Sequence, residues 1–136
     1  MTIQTIPLNA ALNIRHAVLW PDQPRDFSRV AGDADALHLG IYDKDLLICV
    51  ASLYQTENGL RLRKFATLFA HQGKGHGSAM MRHAIDHCKI AGHPRLWLSA
   101  RETAMPFYRR FGFEPFGTPM EKAGIPYLYM ARTIAT

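Results

Sequence analysis

Three glycines at alternate positions, Gly73, Gly75 and Gly77, lie in the stretch FATLFAHQGKGHGSAMMR (65–82). An extended run ends just before them at Leu68, and helical periodicity follows over 78–91. Glycine allows tight turns and close approach of a ligand. A turn that feeds a helix also presents unpaired backbone N–H groups at the positive end of the helix dipole. The chemistry such a turn supports is anion binding, phosphate above all. Lys74 adds charge at the rim, and His71 and His76 flank the turn and can assist when protonated. A glycine triplet taken alone fits a plain solvent-exposed turn equally well. A Walker A loop needs GxxxxGK followed by Ser or Thr, whereas Lys74 is followed by Gly75. A dinucleotide fingerprint needs GxGxxG and an acidic residue roughly twenty positions on. The spacing here is GxGxG, and the strand after the helix carries no acid at its end.

The remaining reactive side chains are less organised. His83 and His87, four apart on the helix after the turn, could share a metal face with His76. With no HExxH pattern and no third strong ligand, they read as exposed helix histidines, and no metal is expected. Cys49 and Cys88 are the two cysteines, and neither belongs to a CxxC pair. That pattern argues against a disulfide framework and for a reducing compartment, so a cytoplasmic location is expected. Arg25, Arg29, Asp33 and Asp35 could face a polar substrate, although a solvated loop is the plainer state for them. Tyr108 follows Phe107, and composition alone makes the two an aromatic core pair.

The elements that must position these residues can be read along the chain. Residues 1–6 alternate and suit a first strand. Asn9 suits a helix N-cap; the helix should stop near Trp20, because Pro21 disfavours helix in the residue before it. Residues 21–35 form a polar loop with room for one short helical turn. Strands are expected over 36–42, 46–54 and 60–68, the last two joined by the hairpin signal Glu57-Asn58-Gly59. After the glycine turn, the long helix should end at Gly92 and Pro94. A strand over 95–100 and a helix from Glu102 or Thr103 to Phe111 follow. Closing strands over 113–117 and 127–133 are separated by a loop over 118–126. A meander followed by alternating elements predicts an α+β fold in a single domain, 1–136.

The bulk numbers agree. With 136 residues, 48% hydrophobic and 20% charged, the chain suits one globular core. Its net charge of +5 fits an anionic partner, and its sixteen basic residues are spread without a basic block. No clustered basic helix or aromatic platform marks a nucleic-acid binder. No run of eighteen apolar residues exists, so no membrane partner is expected. The N-terminal twenty residues do not have the pattern of a signal peptide.

A third reading of the turn fits better. QGKGHG (72–77) matches the Q/R-x-x-G-x-G signature of the GNAT acetyltransferase superfamily, and the strand, loop and helix of 65–81 resemble that family's in unbroken register. RETAMPFYRRFGF (101–113) is similar to the family's N-x-x-A-x-x-F-Y-x-x-x-G-F segment, in the expected order and separation. EKAGIPYLYM (121–130) resembles the end of the ElaA-like branch.

The resemblance implies a mixed, mostly antiparallel central sheet of six to seven strands with helices on both faces. It implies acetyl-CoA as cosubstrate. The backbone of Thr67, Leu68 and Phe69 would meet the pantetheine arm as an extra strand would. Gln72, Gly73, Lys74, Gly75, His76, Gly77 and Ser78 would wrap the pyrophosphate. Arg101, standing where the family often has Asn, would contact the cofactor, and Ala104 and Phe107 would line its thiol end beside Tyr108. Tyr108 then becomes the catalytic residue that supplies or shares a proton with the leaving thiolate. The strand over 60–68 has no acid to act as base. Glu102 and Glu121 are candidates better suited to surface or capping roles, which leaves water to deprotonate the amine.

The implied activity is direct acetyl transfer from acetyl-CoA to a primary amine in a ternary complex. The acceptor is a small-molecule or peptide amine, or a protein lysine. A second copy of the chain, as a homodimer, stays open; no specific nucleic acid is expected. The alternative is a non-catalytic acyl-CoA-binding or sensing module.

Overall fold

The structure is a computed structural model and describes residues 2–134. Its strands are β1 (Ile3–Thr5), β2 (Leu37–Asp43), β3 (Leu46–Thr56), β4 (Gly59–Thr67), β5 (Arg95–Arg101), β6 (Glu114–Lys122) and β7 (Ile125–Thr133). Its helices are α1 (Leu8–Leu19), α2 (His76–Ile90) and α3 (Met105–Arg109). The sheet has seven strands in the order β1-β2-β3-β4-β5-β7-β6 and is mostly antiparallel. This is the expected α+β architecture. The chain divides into two compact units, Met1–Tyr54 with Leu62–Ala84, and Gln55–Arg61 with Ile85–Thr136.

In the first unit, Ile6, Ala11, Ile14, Val50 and Ala66 form a buried apolar cluster, with Val18, Leu19, Tyr42, Leu47 and Leu68 packed against it. The expected cap Asn9 is not the cap. Pro7 takes that position, and its carbonyl accepts from Ala10 N at 3.1 Å and Ala11 N at 3.3 Å. A proline fits there because its missing N–H would have had no helical partner. Asn9 turns outward instead and accepts from Arg25 Nη2 at 2.7 Å, while Arg25 Nε donates to Asn13 Oδ1 at 2.8 Å. The helix ends at Trp20, before Pro21, as the sequence predicts. The following loop holds two 3-10 turns, Arg25–Ser28 and Asp33–Asp35, rather than one. The first strand is shorter than expected, beginning at Ile3; Met1 lies outside the described residues.

In the second unit, Leu96, Leu98, Ala100, Phe113 and Met130 are buried. Gly59 opens β4 with φ 114° where the chain passes against the Arg95 carbonyl, so closely that a Cβ would collide with backbone. The C-terminal end of α2 closes as its glycine predicts. Gly92, at φ 80°, donates to the Lys89 carbonyl at 3.1 Å, and His93 N donates to the Cys88 carbonyl at 3.0 Å.

The closing strands differ from expectation. β6 runs on to Lys122, and the loop expected over 118–126 shrinks to the two-residue turn Ala123-Gly124, both at positive φ (52° and 78°). Two left-handed residues in succession match the twist of a tight hairpin. β6 stands last in the strand order, and an edge strand tolerates Pro115 and Pro119, which cannot donate to a ladder. Its register shifts between Phe116 and Met120, absorbing two extra residues.

Candidate active site

The strand end and glycine turn belong to the first unit. β4 delivers Thr67, whose hydroxyl lies 3.4 Å from Cys49 Sγ, and Leu68, whose N–H donates to the Ile48 carbonyl at 2.9 Å. Phe69 is 69% exposed and opens a short 3-10 turn to His71. Gln72 folds its side-chain amide back onto the Thr67 carbonyl at 2.9 Å, tying the loop to the strand end. Gln72, Gly73, Lys74 and Gly75 are all exposed.

α2 begins two residues earlier than expected, at His76, because the Gly75 carbonyl already accepts from Ala79 N at 3.0 Å. The N–H groups of His76, Gly77 and Ser78 precede that first helical bond, so they are the orphan donors of the helix end. Gly73 and Gly75 have φ of 76° and 88°, and a Cβ on either would meet nothing within 4 Å. The result is an open, left-handed, glycine-walled cradle at the positive end of a 15-residue helix. His76 is buried with its ring centroid 6.4 Å from that of His71.

The second unit holds the other motif. Arg101 is exposed at the end of β5, Ala104 closes the 3-10 turn Glu102–Ala104, and Phe107 and Tyr108 are half-buried in α3. Pro106 sits in the first turn of that helix, as expected. The Tyr108 carbonyl accepts from Phe111 N at 2.9 Å and Phe113 N at 3.2 Å, and Gly112 at φ 85° turns the chain out of the helix. The Tyr108 ring meets Phe107 edge-on at 5.2 Å and Phe113 at 6.0 Å. Burial pushes its hydroxyl from 10 up to about 12, making it a weaker acid than an ordinary tyrosine.

Glu102 and Glu121 are both exposed, with Glu121 on β6 opposite Pro126. The helix histidines His83 and His87 are half-buried rather than exposed. Among the described residues, no group of three His, Cys, Asp or Glu side chains could hold a metal ion. Cys49 and Cys88 are free and buried, and burial pushes both thiols up. Neither is poised as a nucleophile.

Sequence reasoning missed one buried polar network in the first unit. Arg15, 0% exposed, donates from Nη1 to Asp33 Oδ2 at 3.0 Å and from Nη2 to Asp33 Oδ1 at 3.1 Å. Nη2 also reaches Ser52 Oγ at 2.9 Å and the Tyr54 hydroxyl at 3.1 Å, and Nη1 reaches the Ser28 carbonyl at 3.0 Å. Tyr54 donates to Asp33, and His38 sits between Ser52 Oγ (2.7 Å) and the Asp33 carbonyl (2.9 Å). Asp33 is therefore not a solvated loop residue. The available signal was Arg15 itself, which falls on the apolar stripe of α1 with Ala11, Leu12 and Ile14. Of the other loop residues, Arg25 is held by α1, Arg29 pairs with Asp26 at 2.9 Å, and Asp35 is exposed.

Burial alone would raise the Asp33 carboxyl. The Arg15 guanidinium, the Tyr54 hydroxyl and the Val30 N–H outweigh it and bring the group from 3.8 down to about 2. Burial, with the Asp33 carboxylate beside it, pushes Tyr54 up to about 12. A lowered carboxyl contributes stability that is complete above its unfolded value and lost as pH falls through the folded one. The expected result is an acid-unfolding profile in which stability climbs between pH about 2 and 3.8. Asp33→Asn should flatten that climb, read by circular dichroism at fixed urea.

The glycine turn before α2 and the α3 segment each carry one of the two motifs singled out in the sequence. Residues 19–134 match the family model described as an acetyltransferase (GNAT) domain, and the chain belongs to that family. It is similar to protein ElaA of Escherichia coli strain K12, with 26% identity over 134 residues, 93% of this chain and 88% of ElaA. The crystal structure of Escherichia coli ElaA superposes with a TM-score of 0.83 at 22% identity, covering 97% of this chain and 99% of that one. The ribosomal-protein-S18-alanine N-acetyltransferase from Escherichia coli gives 0.80 at 20% identity, over 99% and 94% of the two chains. An aminoglycoside 6'-N-acetyltransferase complexed with coenzyme A gives 0.81 at 13%, over 100% and 98%. The chain has the GNAT fold, whose cosubstrate is acetyl-CoA. The cradle fits a pyrophosphate: its donors are backbone N–H groups, and the space beside Gly73 and Gly75 is open, since a Cβ added at either would meet nothing within 4 Å.

Proposed function

We propose that the protein transfers an acetyl group from acetyl-CoA to a primary amine directly, in a ternary complex, with Tyr108 as the group that meets the departing sulfur. Acetyl-CoA supplies the activated thioester. Residues 72–78 hold its pyrophosphate through the α2 N-terminus, and the end of β4 aligns the pantetheine arm. The amine nitrogen attacks the thioester carbonyl, the C–N bond forms, the C–S bond breaks, and the amine proton leaves to water. No carboxylate on β4 is available to take it.

The observation that carries this reading is the placement of the Tyr108 phenol on α3, with its ring held against Phe107 and Phe113. A phenol near 12 is a weaker acid than a thiol of about 8.5. Tyr108 therefore stabilises the sulfur through a hydrogen bond that strengthens as C–S cleavage proceeds, ahead of full proton transfer. Tyr108→Phe keeps the ring and removes the donor. Turnover should fall on the order of 10²-fold, while the acetyl-CoA dissociation constant changes less than about twofold. Steady-state kinetics paired with calorimetry read both, and unchanged turnover would remove Tyr108 from the chemistry. The buried, free Cys49 and Cys88 fit a reducing, cytoplasmic setting. Among the described residues, no helix is long and apolar enough to cross a membrane.

A further inference from the structure

Side chains alternate along β5. Leu96, Leu98 and Ala100 are buried, and Arg95, Trp97 and Ser99 take the opposite face. That second face carries an array of cations laid on rings, all within the second unit. The Arg61 guanidinium lies 4.4 Å over the Trp97 ring and donates to Ser99 Oγ at 2.8 Å. The Arg95 guanidinium lies 4.3 Å over Phe116, and Phe116 stacks on Tyr129 at 5.6 Å. Trp97 closes the array edge-on to Phe116 at 6.2 Å, and its indole N–H is satisfied by Thr56 Oγ1 at 3.0 Å.

Arg95, Phe116 and Tyr129 remain partly exposed. Among the described residues, no carboxylate pairs with Arg95, whose Nη1 donates to the Asn58 carbonyl at 3.4 Å. Glu114, two residues before Phe116 on β6, is already engaged by Arg109 at 3.4 Å. A guanidinium held about 4.3 Å over a ring, as Arg95 is over Phe116, is already positioned by that contact. It loses little further freedom when it takes a bidentate partner.

Charge sets the sign of that partner, and the state of the rings sets its class. A single-stranded nucleic acid stacks its bases on open ring faces. Here Arg61 covers Trp97, while Arg95 and Tyr129 cover Phe116. What this face offers is guanidinium N–H groups, and planar carboxylates match them. We propose that this face docks an acidic stretch of a polypeptide, with an Asp or Glu carboxylate on Arg95.

The test is fluorescence anisotropy of a labelled hexaglutamate peptide titrated with the full chain at low salt. Arg95→Glu should weaken binding about tenfold or more. Lys44→Glu and Lys89→Glu make the same charge change elsewhere and should each weaken it less than about twofold. Calorimetry with acetyl-CoA should give the wild-type affinity for Arg95→Glu, which shows that the variant is folded. If Arg95→Glu instead disturbs the strand, Arg95→Gln keeps the side-chain stem and should still weaken the peptide at least about threefold. Equal weakening by all the charge reversals would reduce the effect to bulk attraction by a basic chain and overturn the proposal. Tighter binding of oligothymidylate than of the peptide would assign the face to nucleic acid and also overturn it. The readout needs no turnover, so it stands or fails separately from the acetyl-transfer reading.

Discussion

Gly75→Glu should abolish acetyl-CoA binding while leaving the protein folded. Three effects act together at this position. Gly75 has φ 88°, a conformation that costs an L-residue about 1–2 kcal/mol. Its carbonyl accepts the first bond of α2, from Ala79 N at 3.0 Å, so distortion there moves the helix end itself. The new carboxylate would also enter the cradle at the point where the N–H groups of His76, Gly77 and Ser78 gather, in the place of the anion they would bind. Like charge and bulk at a phosphate site should weaken the dissociation constant by about a hundredfold or more, equivalent to about 2.7 kcal/mol. The fold should survive because a Cβ on Gly75 meets nothing within 4 Å. Gly92→Glu, at another left-handed, unobstructed glycine, is the matched control and should bind acetyl-CoA normally. Calorimetry showing ordinary affinity for the Gly75 variant would mean that the turn does not hold the pyrophosphate.

Arg15→Met should be the most destabilising single change in the first unit. Arg15 is completely enclosed, and its guanidinium serves Asp33, Ser52, Tyr54 and the Ser28 carbonyl at once. Methionine replaces most of the stem and none of the donors. The cost comes chiefly from what remains, a carboxylate that is 7% exposed with its cation removed. Breaking a buried pair from one side costs about 3–5 kcal/mol. At a urea slope of about 1–3 kcal/mol per molar, the unfolding midpoint should drop by roughly 2 M. Adding Asp33→Asn to Arg15→Met removes the stranded charge and should restore part of the loss, a coupling that a double-mutant cycle measures. A midpoint within about 0.3 M of wild type for Arg15→Met alone would mean that the carboxylate has been rehydrated and that the network does not hold the loop after α1.

The sequence made the local features legible. The glycine turn, the stop at Trp20, the Glu57-Asn58 turn and the Gly92 terminus depend on residues within a few positions of one another. Their chemistry is visible without the rest of the fold. Features decided by partners far along the chain were hidden. Arg15 lies 18 residues from Asp33, 37 from Ser52 and 39 from Tyr54, and only the folded unit brings them together. Asn9 has the right side chain for a cap, but a proline two residues earlier took the position and Arg25 took the side chain. The β6–β7 hairpin was disguised by Pro115, Pro119, Gly117 and Gly124. Those residues break a central strand, but an edge strand with a bulge and a two-residue turn accommodates them. At the candidate site the elements come in the expected order with shifted ends: His76 and Gly77 open α2, Phe69 lies in a 3-10 turn past the end of β4, and Ala104 lies in a 3-10 turn before α3. The packing of Tyr108 edge-on against Phe107 and near Phe113 is set by the folded segment, which spacing alone does not state.

The central claim is that this chain moves acetyl groups from acetyl-CoA to an amine. It is tested most directly by measuring free-thiol release from acetyl-CoA across a panel of polyamines, amino acids, aminoglycosides and peptides, with Tyr108→Phe run in parallel. The account predicts amine-dependent thiol release for at least one class, with the acetylated amine confirmed by mass spectrometry and the rate strongly reduced in Tyr108→Phe. Tight acetyl-CoA binding with no thiol release above the no-amine background for any class would contradict it, and would make the protein a binding module that holds acyl-CoA without using it.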